Sequence, residues 1–281
     1  MLLSLEGNES SGKTTLAYSA PLPIVGFAFD MGFERAVQGG RYNELFKGLR
    51  INTVPYDGNP EGKVWDDVDI TVFELPQPIQ LDSIRVVGCQ KLWQYFIQLC
   101  ARTLSDPRVR TVVIDTMTVA RRVKASAYLE GLQGVAFDNN GNRKSGERLR
   151  EKLIQIEYGS VNDAIRDIYT SAAGVKVNLV ATHHLTDERK DHIGKDGQIE
   201  QVLTGNKLLE GLAGTHRFVD IAIRMEKAEG KLSGKFLKCG YNLSQEGTTL
   251  TDPTWDGIAN LVAMGTGDRV QLDRRVAVEV S

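Results

Sequence analysis

The stretch "GNESSGKTTLA" at residues 7–17 decides the fold of this 281-residue chain. It matches the pattern G-x-x-x-x-G-K-[ST] at Gly7, Gly12, Lys13 and Thr14. Glycines let such a loop turn its backbone N–H groups inward, towards phosphate oxygens. The pattern predicts a nucleoside triphosphate site in which Lys13 reaches the β- and γ-phosphates and the Thr14 hydroxyl ligates Mg²⁺. The predicted nucleotide-binding residues are Gly7, Asn8, Glu9, Ser10, Ser11, Gly12, Lys13, Thr14 and Thr15.

Apolar runs on both sides of the loop predict an α/β fold. "LLSLEG" (2–7) has the pattern of a buried strand, and "KTTLAYSA" (13–20) that of a helix stopped by Pro21 and Pro23. Strands of the same continuous apolar kind follow at 24–30, 110–115 and 177–184. Such strands, alternating with helices, are typical of a mainly parallel central sheet that is flanked by helices.

The strand "RTVVID" ends in Asp115, and this acid is the second predicted element of the site. A carboxylate at the carboxyl end of a strand beside a phosphate loop is placed to hold Mg²⁺ through water. We therefore expect Thr14 and Asp115 to form the metal site together.

The whole of 1–265 is predicted to be one domain, followed by a tail or extra strand at 266–281. Residues 39–82 predict a β-rich elaboration of the sheet. Within it, 68–75 alternates polar and apolar residues, which indicates an edge strand or hairpin arm. The other predicted elements are helices at 90–104, 119–132, 148–172 and 255–265, strands at 219–225 and 234–240, and loops at 133–147 and 186–207.

Composition limits the location and the partners. The chain has 34 Lys and Arg against 36 Asp and Glu, and a net charge of −2 gives no global sign of affinity for nucleic acid or membrane. A basic cluster at 121–152 is a weak sign of a polyanion site. Three widely spaced cysteines, and no apolar run of membrane-spanning length, predict a reducing, cytoplasmic compartment and no membrane partner.

The residues Glu9, Ser10 and Ser11 give the loop a close resemblance to the phosphate loop of RecA recombinases. The order of elements over residues 1–240 is similar to a RecA-like core, and the chain looks like the core-only RecA-like ATPases of bacteriophages. This resemblance implies ATP and Mg²⁺ as cofactors, ATP hydrolysis, and action on single-stranded DNA in recombination, annealing or repair inside a bacterial host. It also implies self-association into a ring or filament with ATP at subunit interfaces, and a phage or host single-strand-binding protein as a further partner.

One catalytic position departs from the family. RecA proteins carry a glutamate two residues beyond the aspartate that ends the second strand. Here Asp30 is followed by Gly32 at that place, and the nearest glutamate is Glu34. Either Glu34 or Asp30 is predicted to orient the attacking water, with Lys13 and Asp115 as the other catalytic residues beside the nucleotide.

The end of the sensor strand is the second departure. RecA proteins have a glutamine there, whereas this chain has His183 or His184 at that position. We predict that His183 donates to a γ-phosphate oxygen and so reorients the loop at 186–207, which begins just beyond it.

The resemblance places single-stranded DNA against the loops at 133–147 and 186–207. The predicted contacts are the basic residues Arg143, Lys144, Arg189, Lys190 and Lys207. A basic residue of a neighbouring subunit is expected to complete hydrolysis in trans, since such a side chain stabilises charge on the transferred phosphoryl group. The candidates for that role are Arg224, Lys227, Lys235 and Lys238.

Three other functions stay open on the sequence. A motor subunit of the replicative-helicase kind would have the same fold. A nucleotide-gated interaction module with little turnover is favoured by the missing glutamate at Gly32. A small-molecule kinase would use the basic residues at 143–152 as a lid over its substrate.

Overall fold

The computed structural model describes residues 1–38, 43–81, 85–137, 143–146, 148–193, 199–269 and 275. Its strands are β1 (Leu2–Gly7), β2 (Ile24–Ala28), β3 (Ile51–Val54), β4 (Ile70–Glu74), β5 (Thr111–Asp115), β6 (Asn178–His183), β7 (Leu185–Ile193), β8 (Ile199–Leu209), β9 (Ile221–Ala228), β10 (Lys231–Cys239) and β11 (Thr249–Thr251). Its α-helices are α1 (Lys13–Tyr18), α2 (Phe33–Gln38), α3 (Asn43–Phe46), α4 (Cys89–Ser105), α5 (Met117–Gly134), α6 (Tyr158–Gly174) and α7 (Trp255–Thr266). Among the described residues, no helix is both long enough and apolar enough to cross a membrane.

Nine of these strands form one sheet in the order β11-β10-β9-β1-β6-β5-β2-β4-β3. The strands from β9 to β3 in that order pair in parallel. At the other edge, β10 pairs antiparallel with both β9 and β11. The predicted α/β fold, a mainly parallel central sheet flanked by helices, is therefore confirmed, with antiparallel strands added at one edge.

Alternating side chains divide the core into two layers, one on each face of the sheet. Leu179 and Ala181 of β6 belong to the layer formed with α4, α5 and α6, which we call the α6 face. Val180 belongs to the layer formed with α1, α2 and α7, which we call the α1 face. Because successive side chains of a strand point to opposite faces, this alternation also decides which polar residues at the strand ends lie beside α1.

Residues 186–207 were predicted to be a polar loop, and that prediction is wrong. β7 and β8 pair antiparallel from Leu185↔Leu209 to Ile193↔Ile199 and form a separate two-stranded sheet. Residues 194–198 at its tip lie outside the described residues. The two strands carry mostly polar side chains on both faces, so they lack the apolar alternation by which a half-buried strand is recognised.

Two further element predictions are wrong. β4 is an interior strand, parallel to both β2 and β3, and not an edge strand or hairpin arm. The helix predicted at 148–172 begins only at Tyr158, and Ile156, within the predicted range, is 82% exposed. The helices predicted at 90–104, 119–132 and 255–265 are confirmed with small shifts at their ends. Most of the tail predicted at 266–281 lies outside the described residues.

Candidate functional site

The side chain of Lys13 holds the loop between β1 and α1 in a closed form. Its Nζ donates to Gly7 O at 2.9 Å, to Asn8 O at 2.6 Å and to Ser11 Oγ at 3.3 Å. Lys13 is only 7% exposed, and this burial lowers the pKa of its ammonium group, although nearby carboxylates oppose the shift. The loop thus encloses a cation whose present partners are neutral oxygens, which phosphate oxygens would replace favourably.

Two glycines of the motif are required by close approach of the neighbouring strands. A Cβ atom on Gly7 would lie 2.5 Å from Met225 O. Gly12 has a φ of 83°, in the left-handed region, and a Cβ atom there would lie 2.7 Å from Leu232 Cδ1. A larger residue at Gly7 would therefore have to displace the backbone of β9, whereas at Gly12 the Leu232 side chain could move and the left-handed φ is what favours glycine.

Asp115 lies beside α1, as predicted. Its Oδ2 accepts a hydrogen bond from Thr14 Oγ1 at 2.9 Å, and its Oδ1 accepts one from Thr182 Oγ1. The parallel registers of β5 with β6, and of β6 with β1, bring these strand ends to one edge of the sheet. Thr182 was missed in the sequence, because its neighbour across the sheet is known only once the strand order is known.

The electrostatics of Asp115 fit a divalent cation. Burial raises the pKa of its carboxyl group to about 6, and the nearby Asp30 acts in the same direction. The hydrogen bonds from Thr182 and Thr14 and the charge of Lys13 oppose that rise. A carboxylate and a hydroxyl are the hard oxygen donors that Mg²⁺ prefers, so Thr14 and Asp115 fit a Mg²⁺ ion bound together with a triphosphate. Bound there, the ion would neutralise charge on the β- and γ-phosphates.

Of the two candidate catalytic carboxylates, Asp30 lies in this site. Its Oδ1 accepts a hydrogen bond from the Gly32 N–H at 2.9 Å, and its Oδ2 lies 3.8 Å from Nε2 of His184. The His184 ring is the main cause that lowers the pKa of Asp30; the Gly32 N–H and the Lys13 charge add to it, against the effect of burial. Glu34 is exposed in the first turn of α2 and makes no hydrogen bond or ion pair with another described residue.

The two histidines at the end of β6 point to opposite faces of the sheet. His183 is buried on the α6 face, where its Nε2 lies 3.2 Å from the Tyr169 hydroxyl. Burial lowers the pKa of His183 to about 3, so its ring is neutral at physiological pH. His184 reaches Asp30 on the α1 face. The geometry thus brings His184 to the phosphate-loop side, and a γ-phosphate contact from His183 stays a prediction.

A second polar cluster lies on the α6 face, behind the phosphate loop. Glu6 directly precedes Gly7 and is fully buried. Its Oε1 accepts hydrogen bonds from Arg224 Nε at 2.8 Å and Nη2 at 2.5 Å, and its Oε2 lies 3.1 Å from His216 Nε2. Burial alone would raise the pKa of Glu6, but the bonds from His216 and Arg224 outweigh it and hold the pKa below its usual value. In the sequence, Glu6 is a single acid within an apolar strand, and this pattern could have indicated a buried ionic contact.

The contacts of this cluster bear on the basic residue that was expected to complete hydrolysis in a neighbouring subunit. Arg224 is engaged by Glu6 within its own chain. Lys238 Nζ donates to two backbone carbonyl oxygens of its own chain, at 2.8 and 2.7 Å. Lys227 and Lys235 are exposed, and neither makes a hydrogen bond or ion pair within the described ranges. Of the four candidates, these two are therefore the ones available to a neighbouring subunit.

The basic residues predicted to contact nucleic acid also differ in whether the chain itself already supplies a partner for them. Lys207 forms an ion pair of 2.6 Å with an aspartate of β7, and Lys144 donates to a backbone carbonyl oxygen at 2.9 Å. Arg143 lies in an isolated antiparallel bridge within the predicted loop. Arg189 and Lys190 are neighbours on β7, and in the part of the chain that the structure describes neither has an ion pair.

The β7–β8 hairpin shares its root with the site. Thr118 Oγ1 donates to Glu210 O at 2.7 Å and accepts from the His184 N–H at 3.1 Å, and the Glu210 N–H donates to His184 O at 2.9 Å. Arg122 of α5 forms an ion pair with the Glu210 carboxylate. His184 is thus both the neighbour of Asp30 and the residue from which the hairpin starts, so a movement of one can reach the other.

Comparisons with known proteins leave the function open. No protein-family model matches the chain, and no curated protein does. Among solved structures, the crystal structure of the RadB recombinase matches with 12% sequence identity and a TM-score of 0.44, over 89% of this chain and 85% of that chain. Similarity at this level leaves the function to be inferred from the residues of the site.

Proposed function

We propose that this chain is a RecA-like ATPase that binds ATP with Mg²⁺ at the β1–α1 loop and couples ATP hydrolysis to single-stranded DNA. One observation carries the proposal: Asp115, 101 residues from Thr14 in the sequence, accepts a hydrogen bond from Thr14 and lies within range of the charge of Lys13, at one edge of the sheet. A Gly-rich turn with no ligand would not require a buried lysine beside a buried carboxylate, because burying each charge is unfavourable.

The nucleotide-binding residues divide into two groups by role. The loop at 7–15 would hold the phosphates through its backbone N–H groups, and Lys13 would turn from the loop carbonyl oxygens to the β- and γ-phosphates. Thr14 and Asp115 would hold Mg²⁺, and the hydrogen bond from Thr182 keeps the Asp115 carboxylate in position. The metal thus depends on side chains from α1, β5 and β6 together.

Asp30 is the residue to which we assign the attacking water. It is on the α1 face, its pKa is lowered so that it is ionised at neutral pH, and the Gly32 N–H fixes one of its oxygens. His184 lies beside the other oxygen and would orient the carboxylate or meet the γ-phosphate. The exposed position of Glu34 supports Asp30 over Glu34.

Single-stranded DNA and a second subunit complete the proposal. Arg189 and Lys190 on the hairpin, with Arg143 and Lys144 in the loop after α5, would contact the DNA backbone, where ionic contacts dominate affinity. Lys227 or Lys235 of a neighbouring subunit would reach the γ-phosphate in a ring or filament. Recombination, annealing or repair, in a bacterial host infected by a phage and with a single-strand-binding protein as partner, is the setting that the family resemblance suggests.

A second candidate is a nucleotide-gated interaction module with little turnover. The observation that favours it is Gly32, which stands where the family has its catalytic glutamate, together with the solvent-exposed Glu34. In that case ATP would bind and set the position of the hairpin through His184, but the water would be poorly oriented.

The test is ATP hydrolysis by the purified chain with and without single-stranded DNA, across a salt series. The proposal predicts stimulation by DNA that fades as salt rises, since counterion release drives phosphate contacts. Binding of Mg·ATP without measurable turnover would favour the gated module. Turnover that ignores DNA at every salt concentration would contradict the proposal.

Lys13→Ala tests the site itself. We expect affinity for Mg·ATP in calorimetry to fall about 100-fold or more, because truncating one partner of a buried charge interaction costs several kcal/mol. Lys47→Ala is the matched control: Lys47 is 73% exposed, and among the described residues its one ion pair is with Glu44 at 3.3 Å. Equal affinities for the two variants would place the nucleotide elsewhere.

A further inference from the structure

A groove between α4 and α5 has no role in the proposed nucleotide site. It has a volume of about 270 Å³, and its walls include Trp93, Tyr128 and the side-chain amides of Gln90 and Gln94. These two amides make no hydrogen bond within the described part of the chain. Aromatic rings beside free amide donors and acceptors are the chemistry that recognises an unpaired nucleobase, by stacking and by hydrogen bonds to its edge.

Lys124 supplies a cation to the same groove. Its Nζ lies 5.4 Å from the centroid of the Trp93 ring, and it forms no ion pair with any carboxylate in the described ranges. Lys124 is half-buried, and this burial lowers the pKa of its ammonium group. A partly desolvated cation without a carboxylate partner is a favourable neighbour for a phosphate oxygen.

The charges around the groove favour a polyanion as well. Glu130 is the acid nearest in sequence to the lining, and both its oxygens accept backbone hydrogen bonds at the start of α4, from Gly88 at 2.9 Å and from Gln90 at 2.7 Å. At the end of α5, the Arg85 guanidinium lies 4.1 Å from the centroid of the Phe137 ring. A second cation–aromatic pair thus lies just beyond the groove, where the loop at 133–147 begins.

We propose that the α4–α5 groove binds one nucleotide unit of single-stranded DNA, with the base against the half-buried ring of Tyr128, beside the largely buried Trp93, and the phosphate at Lys124. The proposal rests on the proposed action on DNA and names a place where DNA is held outside the two loops. Its chemistry is that of sequence-tolerant stacking, since every base presents a flat face to an aromatic ring. The hairpin and the loop would then contact the backbone of the same strand.

The experiment is a titration of the full chain with oligothymidylate, followed by tryptophan fluorescence. We expect quenching in the wild type, and loss of most of that quenching in Trp93→Phe. Affinity should fall about 5- to 150-fold in Tyr128→Ala, the range expected when alanine replaces a ring on which one base stacks. Trp93→Phe keeps an aromatic ring and should change affinity much less. Lys124→Met, which keeps the apolar stem, should weaken binding and lower the dependence on salt by about one phosphate contact.

Trp65→Phe is the matched control, because Trp65 also lies beneath a cation, with Arg102 at 5.4 Å from its ring centroid, but outside the groove. It should leave affinity and quenching unchanged. An oligomer of the same length with abasic sites should bind more weakly and quench Trp93 little, whereas free thymidine monophosphate should compete only poorly, because it lacks the backbone contacts.

Three outcomes would overturn the groove proposal. They are equal affinity for the abasic and the normal oligomer, unchanged affinity in Tyr128→Ala, or a Trp93 signal that follows protein concentration and not DNA, which would mean that a second copy of the chain covers the groove. DNA-stimulated ATP hydrolysis in the wild type, together with any of these, would leave the proposed function standing. Absence of both DNA binding and stimulation would remove the two proposals together.

Discussion

The nucleotide site and the β7–β8 hairpin are adjacent, yet they are built in opposite ways. In the site, Lys13 is 7% exposed, Asp115 is fully buried, and both are held by hydrogen bonds to other groups of the protein. In the hairpin, apolar side chains stay in contact with water, with Leu203 62% and Val202 40% exposed. The site is anchored in the core of the central sheet, whereas the hairpin is a two-stranded sheet that is not part of the central one.

This difference suggests that the site would bind the nucleotide and that the β7–β8 hairpin would change its position in response. A site whose residues are anchored in the core has little to order on binding a ligand, apart from the turn of Lys13 towards the phosphates. An isolated two-stranded hairpin is at best marginally stable in water, so its order depends on what contacts it. Since both regions meet at His184 and Thr118, we infer that the proposed nucleotide would set the position of the hairpin, and that DNA or a subunit on the hairpin would set the geometry at Asp30.

The largest expected effect is in amide hydrogen exchange of the free protein. The amides of β1 should exchange only on global unfolding, because the strand is buried and paired on both sides. The amides of β7 and β8 should exchange at least about 1000-fold faster, by local opening. Equal protection in the two regions would show that the hairpin is as stable as the core.

Substitution of the two candidate catalytic carboxylates should have the next largest effect, on the rate of ATP hydrolysis. Asp30→Asn is expected to lower kcat for ATP by about 100-fold, because it would remove the carboxylate that we propose as the base for the attacking water. Glu34→Gln should leave kcat within about twofold, since the side chain is exposed. Steady-state kinetics of the two variants under the same conditions would decide between them, and the reverse order would return the role to Glu34.

Loss of the hydroxyl at the hairpin root should have a smaller effect. Thr118→Val leaves the His184 N–H and the Glu210 carbonyl without their present partner. The free energy of unfolding in urea should fall by about 1–3 kcal/mol. Thr170→Val is the control, since that hydroxyl only bonds within its own helix, to Arg166 O at 3.2 Å, and the residue is exposed. A similar cost for both variants would mean that the root is not a special contact.

The smallest expected effect is in the pH dependence of stability. The pKa of His183 is lowered in the fold to about 3 from an ordinary value of 6.5, so the unfolded chain takes up the proton first as pH falls. Below pH 6.5 this residue should therefore reduce the free energy of unfolding, by up to about 1.4 kcal/mol per pH unit. His183→Gln cannot take up that proton.

The measurement for this prediction is urea unfolding at pH 7 and pH 5. Between these two values the wild type should lose about 2 kcal/mol more than His183→Gln. Asp115, whose pKa is raised, acts with the opposite sign in part of this range, but it does so in both proteins and cancels in the comparison. If both proteins lose the same free energy of unfolding between pH 7 and pH 5, His183 is hydrated or charged in the fold.

The sequence was sufficient where local chemistry determines structure. The pattern of Gly7, Gly12 and Lys13 is enough to predict the phosphate loop. The continuous apolar run of β5 is enough to predict a strand that is buried on both faces. The sequence was insufficient where a side chain contacts a residue of another helix or strand. The orientation of His184 follows from the alternation of β6 against its neighbours, and the contact of Thr182 with Asp115 follows from the strand order. The hairpin was not predicted because, of the β7 and β8 residues whose burial is described, none is buried, so the sequence lacks the apolar alternation of a half-buried strand.

The most direct test of the coupling is hydrogen exchange of β7 and β8 with and without Mg²⁺ and a non-hydrolysable ATP analogue, in the wild type and in His184→Ala. We predict that the nucleotide slows exchange in the hairpin of the wild type, and that this slowing is lost in His184→Ala although nucleotide still binds. Exchange in the hairpin that is the same with and without nucleotide in the wild type would contradict the account.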